Sequence, residues 1–580
     1  MSNEAVTRVS HPSRVVARVV PDVSGLDKQF DYLVPDDLVG TVDVGSLVRV
    51  PLHGRRVGGW VVHLTDEHGA GVDAARLVPI TKWSSVGPSP ELVDLAAWAA
   101  VRWGTARIRP FLGTASPPSM VPRLPPRRRR DTAGHAPPSK SVRCLGPFTD
   151  PLPIVLEAAG RGPTIAVHPS PRAARALAVR LRREGLSVAV LPDDWAAAAG
   201  GVDVVVGSRS AAWAPCPGLA AVVVLDEHDE AYQEERSPTW HARDVLVERA
   251  QRSGASCVLV SPCPTVAALE WSAGNVVHSG GEWPAIEVDD RADVEPWRRS
   301  IVGSRLIELL RDPSRRVVCV LNTTGRARIL ACRSCRALQR CEHCAAAVAQ
   351  PDEGLLGCPR CGRSRPVVCQ RCGATAMAIV RPGVTRLRDE LEAAAGRPVE
   401  LVTGDSAARE GELATAQGAD VLVGTEAVLH RAGRADVVAF LDVDAELFAP
   451  RYRATEHVVA LVVRAGRLVG RAAQGGLVLL QTHDPDHEVI RALVLGDVSA
   501  ISTLDAARRR ALSLPPFAAL ASLEGTGARD VAAASGLEWA PTPKGALARA
   551  STWGELGTAL AATPRPRESS VRVEVDPPRA

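Results

Sequence analysis

The stretch Cys332–Cys372, CRSCRALQRCEHCAAAVAQPDEGLLGCPRCGRSRPVVCQRC, holds eight of the thirteen cysteines of the chain, arranged as Cys-x-x-Cys pairs. Each pair places two thiolates on one tight turn, and two such turns supply the tetrahedral sulfur shell that a structural zinc ion prefers. Eight ligands therefore predict two zinc ions per chain. The pairs are Cys332/Cys335, Cys341/Cys344, Cys358/Cys361 and Cys369/Cys372.

Spacing alone leaves the assignment of the four pairs to two sites open, because they can combine in three ways. The two middle pairs have the length and the glycine of a zinc ribbon, around which the outer pairs would close. His343 lies inside one turn and could replace a thiolate, but with four cysteines at hand it is more typical of a solvated neighbour. The other cysteines lie among apolar residues, as buried thiols do: Cys144, Cys216, Cys257, Cys263 and Cys319.

Disulfides and a redox dithiol are the alternatives to a metal. Residues 1–14 contain no apolar core of signal-peptide length, so the sequence predicts a cytoplasmic protein whose thiols stay reduced. No stretch reaches the roughly eighteen apolar residues of a membrane span, so we expect no membrane partner. The net charge of +4 neither requires nor excludes nucleic acid, because a local basic patch can supply the phosphate contacts.

The 580 residues exceed what one hydrophobic core can organise. Short Val- and Leu-rich runs alternating with turns predict a β-rich N-terminal domain over residues 1–84. Residues 85–122 repeat apolar residues at helical spacing and suggest a winged-helix-like module. Residues 123–150 are typical of a Pro/Arg-rich linker, in which a charge run such as Arg127–Arg130 is usually solvated.

The remainder of the chain has the pattern of α/β domains. Strand candidates alternate with helical stretches over residues 151–285, which is the signature of a parallel sheet. A second α/β block begins within 286–330, is interrupted by the cysteine-rich residues 331–375, and resumes over 376–485. We therefore expect a multidomain α/β protein with two lobes, a two-zinc module inserted in the second, and a small C-terminal domain and tail over 486–580.

Nine phrases on both sides of the cysteine array match one protein family in order. They are FDYLVP (30–35), GSRSAAWAP (207–215), DEHDEAYQEE (226–235), WHARD (240–244), VLNTTGRARILACRSC (320–335), VLVGTEAV (421–428), FLDVDAELFAPRYRATE (440–456), VLLQTHDP (478–485) and LPPF (514–517). On these phrases the chain resembles the PriA family (primosomal protein N′). The resemblance implies two superfamily 2 DNA-helicase lobes driven by ATP, and reloading of the replicative helicase at abandoned forks.

The resemblance also implies two kinds of site. It favours the nested zinc pairing, with Cys332, Cys335, Cys369 and Cys372 on one ion and Cys341, Cys344, Cys358 and Cys361 on the other. It further implies an N-terminal pocket for the 3′ end of a nascent strand, to which Phe30, Asp31 and Gly54 correspond. A free 3′-hydroxyl can donate a hydrogen bond to the Asp31 carboxylate while Phe30 stacks on the terminal base. Without the resemblance, FDYL is more typical of a strand end with Asp31 capping a turn.

In the first lobe the ATP motifs of the family are mostly missing. A P-loop needs backbone N–H groups around the phosphates, a lysine, and a Ser or Thr on magnesium. Lys140 lies in Gly134–Ser141, where two prolines lack N–H groups and no helix follows, and the expected position, residues 145–162, has no lysine. The Asp-Glu-Glu-His motif reads Leu225–His228, and Ser-Ala-Thr-Pro reads Ser261–Pro264.

The motifs of the second lobe are altered as well. Asn-Arg-Arg-Gly reads Asn322–Gly325 without its arginines, and Gly-Thr-Gln reads Gly424–Glu426. The final Gln-x-x-Gly-Arg-x-x-Arg motif, at 463–471, lacks its glutamine and has an extra residue, which makes Arg467 and Arg471 poor arginine fingers. The combined changes predict no catalytic or nucleotide-binding residues and no ATP-driven helicase activity.

The leading hypothesis is a non-catalytic protein that binds stalled or abandoned forks and promotes primosome assembly and helicase reloading. The expected partners are forked and single-stranded DNA, single-stranded DNA-binding protein, primosome proteins and the replicative helicase. An active ATP-dependent 3′-5′ DNA helicase with an atypical nucleotide site is the alternative. A third class is a zinc-ribbon interaction protein that has lost DNA binding.

Overall fold

The chain folds into an N-terminal antiparallel sheet, two parallel α/β lobes, a cysteine-rich insertion and a C-terminal antiparallel sheet. A computed structural model describes residues 14–26, 28–66, 76–130, 137–292, 301–321, 330–352, 354–379, 384–402, 419–565 and 570–579. No helix in these ranges is long and apolar enough to cross a bilayer. The altered motif at Asn322–Gly325 lies outside the described residues.

The N-terminal sheet consists of β1 (Val15–Pro21), β2 (Phe30–Leu33), β3 (Leu47–Leu52), β4 (Arg55–Asp66) and β5 (Lys82–Ser85). The strands pair in the order β2-β1-β4-β3-β5, all antiparallel. Side chains that alternate along the strands, among them Val19 and Val48, pack one face into a core. His53 and Gly54 join β3 to β4 with φ values of 48° and 75°, the left-handed conformation that a two-residue hairpin turn of type I′ requires.

Residues 85–122 contain two helices, α1 (Pro90–Arg102) and α2 (Arg109–Ala115), and no hairpin of their own. They therefore differ from the expected winged-helix-like module. The reason is that their apolar faces pack on distant parts of the chain. The Phe111 ring lies between Trp103 and Trp213 of the first lobe, at centroid distances of 6.3 and 5.5 Å. The two helices thus bridge the N-terminal sheet and the first lobe.

The first lobe is a parallel sheet in the order β12-β6-β11-β10-β7-β9-β8. Its strands are β6 (Lys140–Cys144), β7 (Thr164–Val167), β8 (Val188–Val190), β9 (Val204–Gly207), β10 (Ala221–Leu225), β11 (Ser256–Ser261) and β12 (Val276–His278). Its helices are α3 (Leu152–Arg161), α4 (Pro171–Arg183), α5 (Trp195–Gly200), α6 (Ala242–Ser253) and α7 (Val266–Ser272).

Strand β6 places the start of this lobe inside the segment predicted to be a linker. The strand lies between β11 and β12 in the sheet, so its residues are part of the lobe. Lys140 and Ser141 lie in β6, whereas a P-loop lysine lies where a loop enters a helix. Residues 134–136 of the Gly134–Ser141 stretch lie outside the described residues.

The arginine run of the linker lies along the first lobe. Three of its members are held by hydrogen bonds to loops of that lobe: Arg128 N to Gly201 O, Arg129 Nη1 to Pro217 O and Arg130 N to Asp203 Oδ1, at 2.8, 2.8 and 2.7 Å. The segment is therefore docked on the lobe.

The second lobe is a parallel sheet in the order β13-β23-β22-β14-β21-β20. Its strands are β13 (Ala285–Asp290), β14 (Val317–Val320), β20 (Glu400–Val402), β21 (Val421–Gly424), β22 (Val437–Phe440) and β23 (Leu477–Thr482). The helices are α8 (Ser304–Arg311), α9 (Val384–Ala395), α10 (Ala427–Arg431), α11 (Val443–Leu447) and α12 (Ala454–Val469), followed by α13 (Glu488–Leu495) and α14 (Ser499–Ala511).

The cysteine-rich insertion lies between β14 and α9 and contains only short strands among its described residues. Strands β15 (Leu330–Cys332) and β19 (Met377–Ile379) pair with each other, while β16 (Ala349–Asp352), β17 (Leu355–Gly357) and β18 (Ser364–Pro366) form a small antiparallel sheet. Short strands bury too little apolar surface to hold a domain of this size, so the insertion needs other crosslinks.

The C-terminal domain is an antiparallel sheet in the order β25-β26-β24-β27 with two helices. The elements are β24 (Ala519–Glu524), α15 (Ala528–Ala534), β25 (Glu538–Thr542), β26 (Gly545–Ala550), α16 (Trp553–Ala562) and β27 (Arg572–Val575). Helix α16 lies so close to α1 that a Cβ at Gly557 would sit 2.2 Å from the carbonyl oxygen of Val101. The N-terminal helices and the C-terminal domain therefore share one packed joint.

Candidate metal centres, nucleic-acid groove and interlobe crevice

The structure brings the eight cysteines of the insertion together in two groups of four. The outer cysteine site consists of Cys332, Cys335, Cys369 and Cys372, and the inner cysteine site of Cys341, Cys344, Cys358 and Cys361; within each, the sulfur atoms lie within 4.8 Å of one another. This grouping is the nested one that the family resemblance implied. His343 is exposed and belongs to neither group.

All four Cys-x-x-Cys turns have the same backbone geometry. In each, the N–H four residues after the first cysteine donates to that cysteine's carbonyl, at 2.9 Å. The donor residue has a positive φ, between 60° and 74°, in every case: Arg336, Ala345, Gly362 and Gly373. This repeated turn aims both thiols of a pair to the same side.

The donor sets fit a tetrahedral metal. Between neighbouring pairs the closest sulfur separations are 3.4 and 3.5 Å, and four sulfurs about 2.3 Å from a zinc ion would lie about 3.8 Å apart. The hydrogen bond between Cys344 and Cys358 lowers the pKa of the Cys358 thiol and raises that of Cys344, so this pair favours one thiolate. Burial raises the pKa of Cys216 and Cys257, which lie outside both cysteine sites, to about 12.

Arg360 docks the inner cysteine site on the second lobe. Its guanidinium donates to the carbonyl oxygen of Cys344 at 3.0 Å and to those of Ala449 and Arg451 at 2.7 and 2.5 Å. Because Arg360 lies inside the Cys358/Cys361 turn, the metal-binding turn and the lobe are joined by one side chain. The position of the turn is thus coupled to the loop that follows α11.

A groove in the N-terminal sheet contains two of the three predicted DNA-binding residues. The N-terminal groove encloses about 580 Å³ and is lined by Arg18, Phe30, Asp31, Pro51, His53 and Arg76, among others. Phe30 and Asp31 are adjacent in β2. Gly54 is next to the lining residue His53, and no atom lies within 4 Å of the position of a Cβ there. The structure therefore gives Gly54 a turn-forming role beside the groove.

Arg18 is a groove residue that the sequence interpretation missed. It pairs with Asp31 through two hydrogen bonds, Nε to Oδ1 at 2.8 Å and Nη2 to Oδ2 at 3.2 Å. Arg76, also in the lining, was missed as well. The available signal was weak, because isolated arginines in a chain whose positive charge is nearly all arginine carry little information.

The interlobe crevice lies where the family resemblance implies an ATP site, and a salt bridge occupies it. Arg467 of α12 reaches across from the second lobe to Asp226, which follows β10, with Nη1–Oδ2 and Nη2–Oδ1 distances of 2.6 and 2.7 Å. Its Nε donates to the carbonyl oxygen of Pro147 at 3.0 Å. Burial alone would raise the pKa of Asp226, but the adjacent Arg467 holds it well below its ordinary value. Asp226 is thus a fixed carboxylate with its own counter-ion.

In the loop at the P-loop position, several backbone N–H groups are already hydrogen-bonded within the protein and are not available to a phosphate. The N–H groups of Leu145, Gly146 and Thr149 already donate to carbonyl oxygens of Ser261, Gly280 and Gly146. At the start of α3, the Asp150 carboxylate accepts from Leu152 N at 3.1 Å and pairs with Arg180 at 2.8 and 2.5 Å. A carboxylate therefore stands at the helix end where a phosphate-binding fold keeps free N–H groups.

More ion pairs cross the crevice. Arg464 pairs with Asp229, and His457 lies between Glu230 of the first lobe, at 3.0 Å, and Glu426 of the second, at 3.1 Å. Burial alone would lower the pKa of His457, but the two carboxylates raise it to about 9. Arg579, near the C-terminal end of the described chain, also contacts both carboxylates, at 3.3 and 2.5 Å. We call this set, together with Asp226–Arg467, the interlobe clasp.

Glu227, the third residue of the altered Leu225–His228 motif, is also held by internal bonds. Glu227 is buried and accepts from Thr265 N at 2.7 Å, Thr265 Oγ1 at 3.0 Å and Arg243 Nη1 at 3.2 Å. Arg471, by contrast, lies on the surface and pairs with Glu282 at 2.8 Å. The sequence interpretation considered Arg467 and Arg471 only as arginine fingers and did not foresee that Arg467 joins the lobes.

Parts of this chain are similar to known proteins. The family model of the PriA 3′DNA-binding domain (3′BD) matches residues 18–110, which include the N-terminal groove and α1. Replication restart protein PriA of Haemophilus influenzae is 28% identical over 341 residues, 54% of this chain and 46% of the relative. Replication restart protein PriA of Bacillus subtilis is 28% identical over 368 residues, which cover 59% of this chain and 46% of that relative. The chain thus spans about half the length of these relatives.

Among solved structures, Saccharomyces cerevisiae Dbp5 bound to RNA and ADP BeF3 matches with a TM-score of 0.34 and 12% identity, covering 73% of this chain and 98% of that one.

Proposed function

Because this chain is a member of the PriA family, we propose that it binds stalled or abandoned replication forks and promotes primosome assembly and reloading of the replicative helicase. Its partners in this proposal are forked and single-stranded DNA, single-stranded DNA-binding protein, primosome proteins and the replicative helicase. The chain performs this role without ATP-driven unwinding. The match of the 3′ DNA-binding model to the N-terminal sheet supports the DNA-binding part.

The absence of ATP-driven unwinding rests on one observation, the Asp226–Arg467 salt bridge in the interlobe crevice. In phosphoryl transfer, arginines and metal ions stabilise charge that develops on the phosphates. Here the arginine of the last motif neutralises a protein carboxylate and donates to the loop where phosphates would lie. A nucleotide would have to break both contacts before any catalytic step.

DNA binding in this proposal uses the N-terminal groove. Asp31 accepts the hydrogen bond of a free 3′-hydroxyl, and Phe30, which is half-buried at the groove, presents its ring to the terminal base. Arg76 in the same lining supplies positive charge for the backbone. The groove thus combines a carboxylate, an aromatic ring and cations within one surface.

The two cysteine sites hold one zinc ion each in this proposal. Four thiolates in a closed shell are typical of structural zinc, and such a metal crosslinks an insertion whose short strands provide little core. Through Arg360 the metal-bearing turn is fixed to the second lobe. The insertion is therefore a rigid docking surface for the partner proteins.

The experiment measures fork affinity and ATP turnover side by side on the zinc-loaded protein. We expect measurable binding to forks, ATP hydrolysis at background with or without DNA, and an Asp31→Ala variant that loses affinity only for forks with a free 3′ end. Asp66→Ala, at the end of β4 and outside the groove lining, is the matched control. Hydrolysis of ATP stimulated by forked DNA would refute the proposal and establish the active helicase. Absence of fork binding with zinc retained would leave a zinc-dependent interaction protein.

A further inference from the structure

Arg18 lies in β1 and lines the N-terminal groove. Beside it the pairing of β1 with β4 shifts register: Arg18 is opposite His63 and Val19 is opposite Val61, so β4 has one extra residue, Val62, at this point. Such irregularities increase the local twist and are frequent next to binding sites. On the other side of β1, Arg18 is directly opposite Asp31 in β2. The arginine and the proposed 3′-end carboxylate are therefore a cross-strand pair.

The contact between these two side chains is asymmetric. The Asp31 side chain is only 5% exposed, and the Nε and Nη2 atoms of Arg18 bond to its two oxygens. The Arg18 side chain is 35% exposed, and among the described residues its Nη1 has no hydrogen-bond acceptor. One edge of the guanidinium is thus fixed on the carboxylate while the remaining N–H groups face the groove. A fixed guanidinium with free N–H groups is well suited to phosphate.

Because Asp31 gives the groove a negative charge, a cation beside it is needed for a phosphodiester to bind there. A buried carboxylate in a DNA-binding groove repels the phosphodiester next to the terminal nucleotide, and this repulsion is strong because the environment is poorly solvated. Among the described lining residues, Arg18 and Arg76 are the positive side chains, and Arg18 is hydrogen-bonded to Asp31. Arg18 cancels the repulsion at the position where the carboxylate is needed.

Building on the proposed function, we infer that Arg18 is a specificity-determining residue of the N-terminal groove. It holds Asp31 in the orientation that accepts the 3′-hydroxyl, and it donates from Nη1 to the last phosphodiester of the strand. The ligand is therefore the terminal nucleotide of a strand together with the phosphate on its 5′ side. Recognition of the hydroxyl and of the phosphate is coupled through one salt bridge.

The test measures binding of the zinc-loaded full chain to three single-stranded DNA probes over a range of salt concentrations. The probes are an oligonucleotide ending in a 3′-hydroxyl, the same oligonucleotide ending in a 3′-phosphate, and a circular single strand with no end. Arg18→Gln should lower affinity for the 3′-hydroxyl end about tenfold, a typical cost of losing one charged nucleic-acid contact. It should also reduce the salt slope by about 0.7, the value for one phosphate contact on a single strand. Binding to the circle should be unchanged.

Two further variants separate the role of Arg18 from general charge and from folding. Asp31→Asn should remove the preference for the hydroxyl over the phosphate end but keep the salt slope. In the double variant Arg18→Gln/Asp31→Asn the loss from Arg18→Gln should be smaller, because no carboxylate remains to repel the phosphate. Arg49→Gln, an exposed arginine of the same sheet outside the groove, should behave as wild type. Because Arg18→Gln removes the counter-ion of the 5% exposed Asp31 side chain, binding of every variant is measured well below its own melting temperature.

The outcomes distinguish this inference from the function on which it rests. If wild type prefers the 3′-hydroxyl end and Asp31→Asn removes that preference, while Arg18→Gln leaves affinity and salt slope unchanged, the inference fails and the proposed pocket stands. An equal loss of binding to the circle and to the 3′ end in Arg18→Gln would also overturn it. If wild type shows no preference for a free 3′ end, the pocket itself is wrong.

Discussion

In each cysteine site four side chains of the same kind converge, whereas in the interlobe crevice carboxylates converge with arginines and a histidine. The closest thiols of the inner site lie 3.4 and 3.5 Å apart, and Asp226 lies 2.6 Å from Arg467. Four thiolates repel each other and need an external cation. The carboxylates of the crevice already have internal counter-ions, which include a residue of the C-terminal segment, Arg579.

This difference shows how a site that requires a ligand can be told from one that is part of the scaffold. Where donors of like charge are held together by backbone turns, folding alone leaves them unfavourable and a bound ion stabilises them. Where opposite charges meet across two lobes, the facing surfaces form an interface. Sequence phrases of the family occur in both regions. In our proposal the insertion still binds metal, whereas the crevice is an interface between the two lobes and binds no nucleotide.

The largest effect should come from the metal ligands. Cys358→Ser removes one of four sulfurs of the inner cysteine site, so we expect the zinc content to fall from about two ions per chain to about one. Structural zinc contributes on the order of 10 kcal/mol to folding of its module, so a strong chelator should also lower the melting temperature of wild type markedly. Metal analysis and thermal unfolding measure both effects.

Cys144→Ser is the matched control, since Cys144 is a half-buried thiol of β6 outside both cysteine sites. It should keep the zinc content of wild type. A wild-type protein that is purified without zinc and folds equally well in chelator would remove the basis for the comparison.

The next effect is on the interlobe clasp. Arg467→Ala leaves the buried Asp226 without its counter-ion, and breaking such a pair costs about 3–5 kcal/mol when both partners are buried. Because 37% of the Arg467 side chain is exposed, we expect about 2–3 kcal/mol lower stability in urea unfolding. Zinc content should be unchanged.

Arg471→Ala tests whether any arginine of this motif has the same effect. Its pair with Glu282 is exposed on both sides, 52% and 65%, so the loss should be less than about 1 kcal/mol. Equal stability losses in Arg467→Ala and Arg471→Ala would mean that the clasp contributes nothing specific.

The pH dependence of the clasp should follow His457. Its pKa is raised from 6.5 to about 9, so its contribution is fully present below pH 6.5 and is lost as the pH rises through 9. A shift of this size corresponds to at most about 3 kcal/mol. The stability difference between wild type and His457→Gln should therefore be largest near pH 6 and shrink toward zero above about pH 9.

The two carboxylates that contact His457 make stability depend on pH in the acidic range. The pKa values of Glu230 and Glu426 are lowered from 4.5 to about 2, so their contribution is present above pH 4.5 and disappears as the pH falls through 2. The bonds are those between His457 and the two carboxylates, so their contribution to the free energy of unfolding is already included in that of His457. His278→Gln, at an exposed histidine, is the control. A difference between wild type and His457→Gln that stays constant from about pH 6 to about pH 9.5 would contradict the assignment.

The sequence predicted the features that are local or repeated. The four cysteine pairs are recognisable because each turn is formed by a few neighbouring residues, and the two lobes because buried strands alternate with helices. The grouping into outer and inner sites needed the family resemblance, since three pairings satisfy the spacing. Strand β6 was missed because it is short and follows a proline-rich run, and only its neighbours β11 and β12 give it a place.

The features that the sequence did not reveal join residues far apart in the chain. Asp226 and Arg467 are separated by 241 positions, and motif comparison describes each one only as a departure from a family pattern. The same holds for α1, whose helical spacing was evident but whose partner α16 lies in the C-terminal domain. Arg18 and Asp31 are only 13 positions apart, yet their pairing depends on the register of β1 and β2.

The smallest expected effect is that of Mg·ATP on wild type, and it bears directly on the contrast between the two regions. A ligand at a concentration equal to its dissociation constant stabilises a protein by about 0.4 kcal/mol. Since Arg467 is paired and the carboxylate of Asp150 caps α3, we expect millimolar Mg·ATP to add less than this in thermal unfolding. Mg²⁺ alone is the control. A stabilisation above about 1 kcal/mol would show that the crevice still accepts the ligand and that its ion pairs are a resting state.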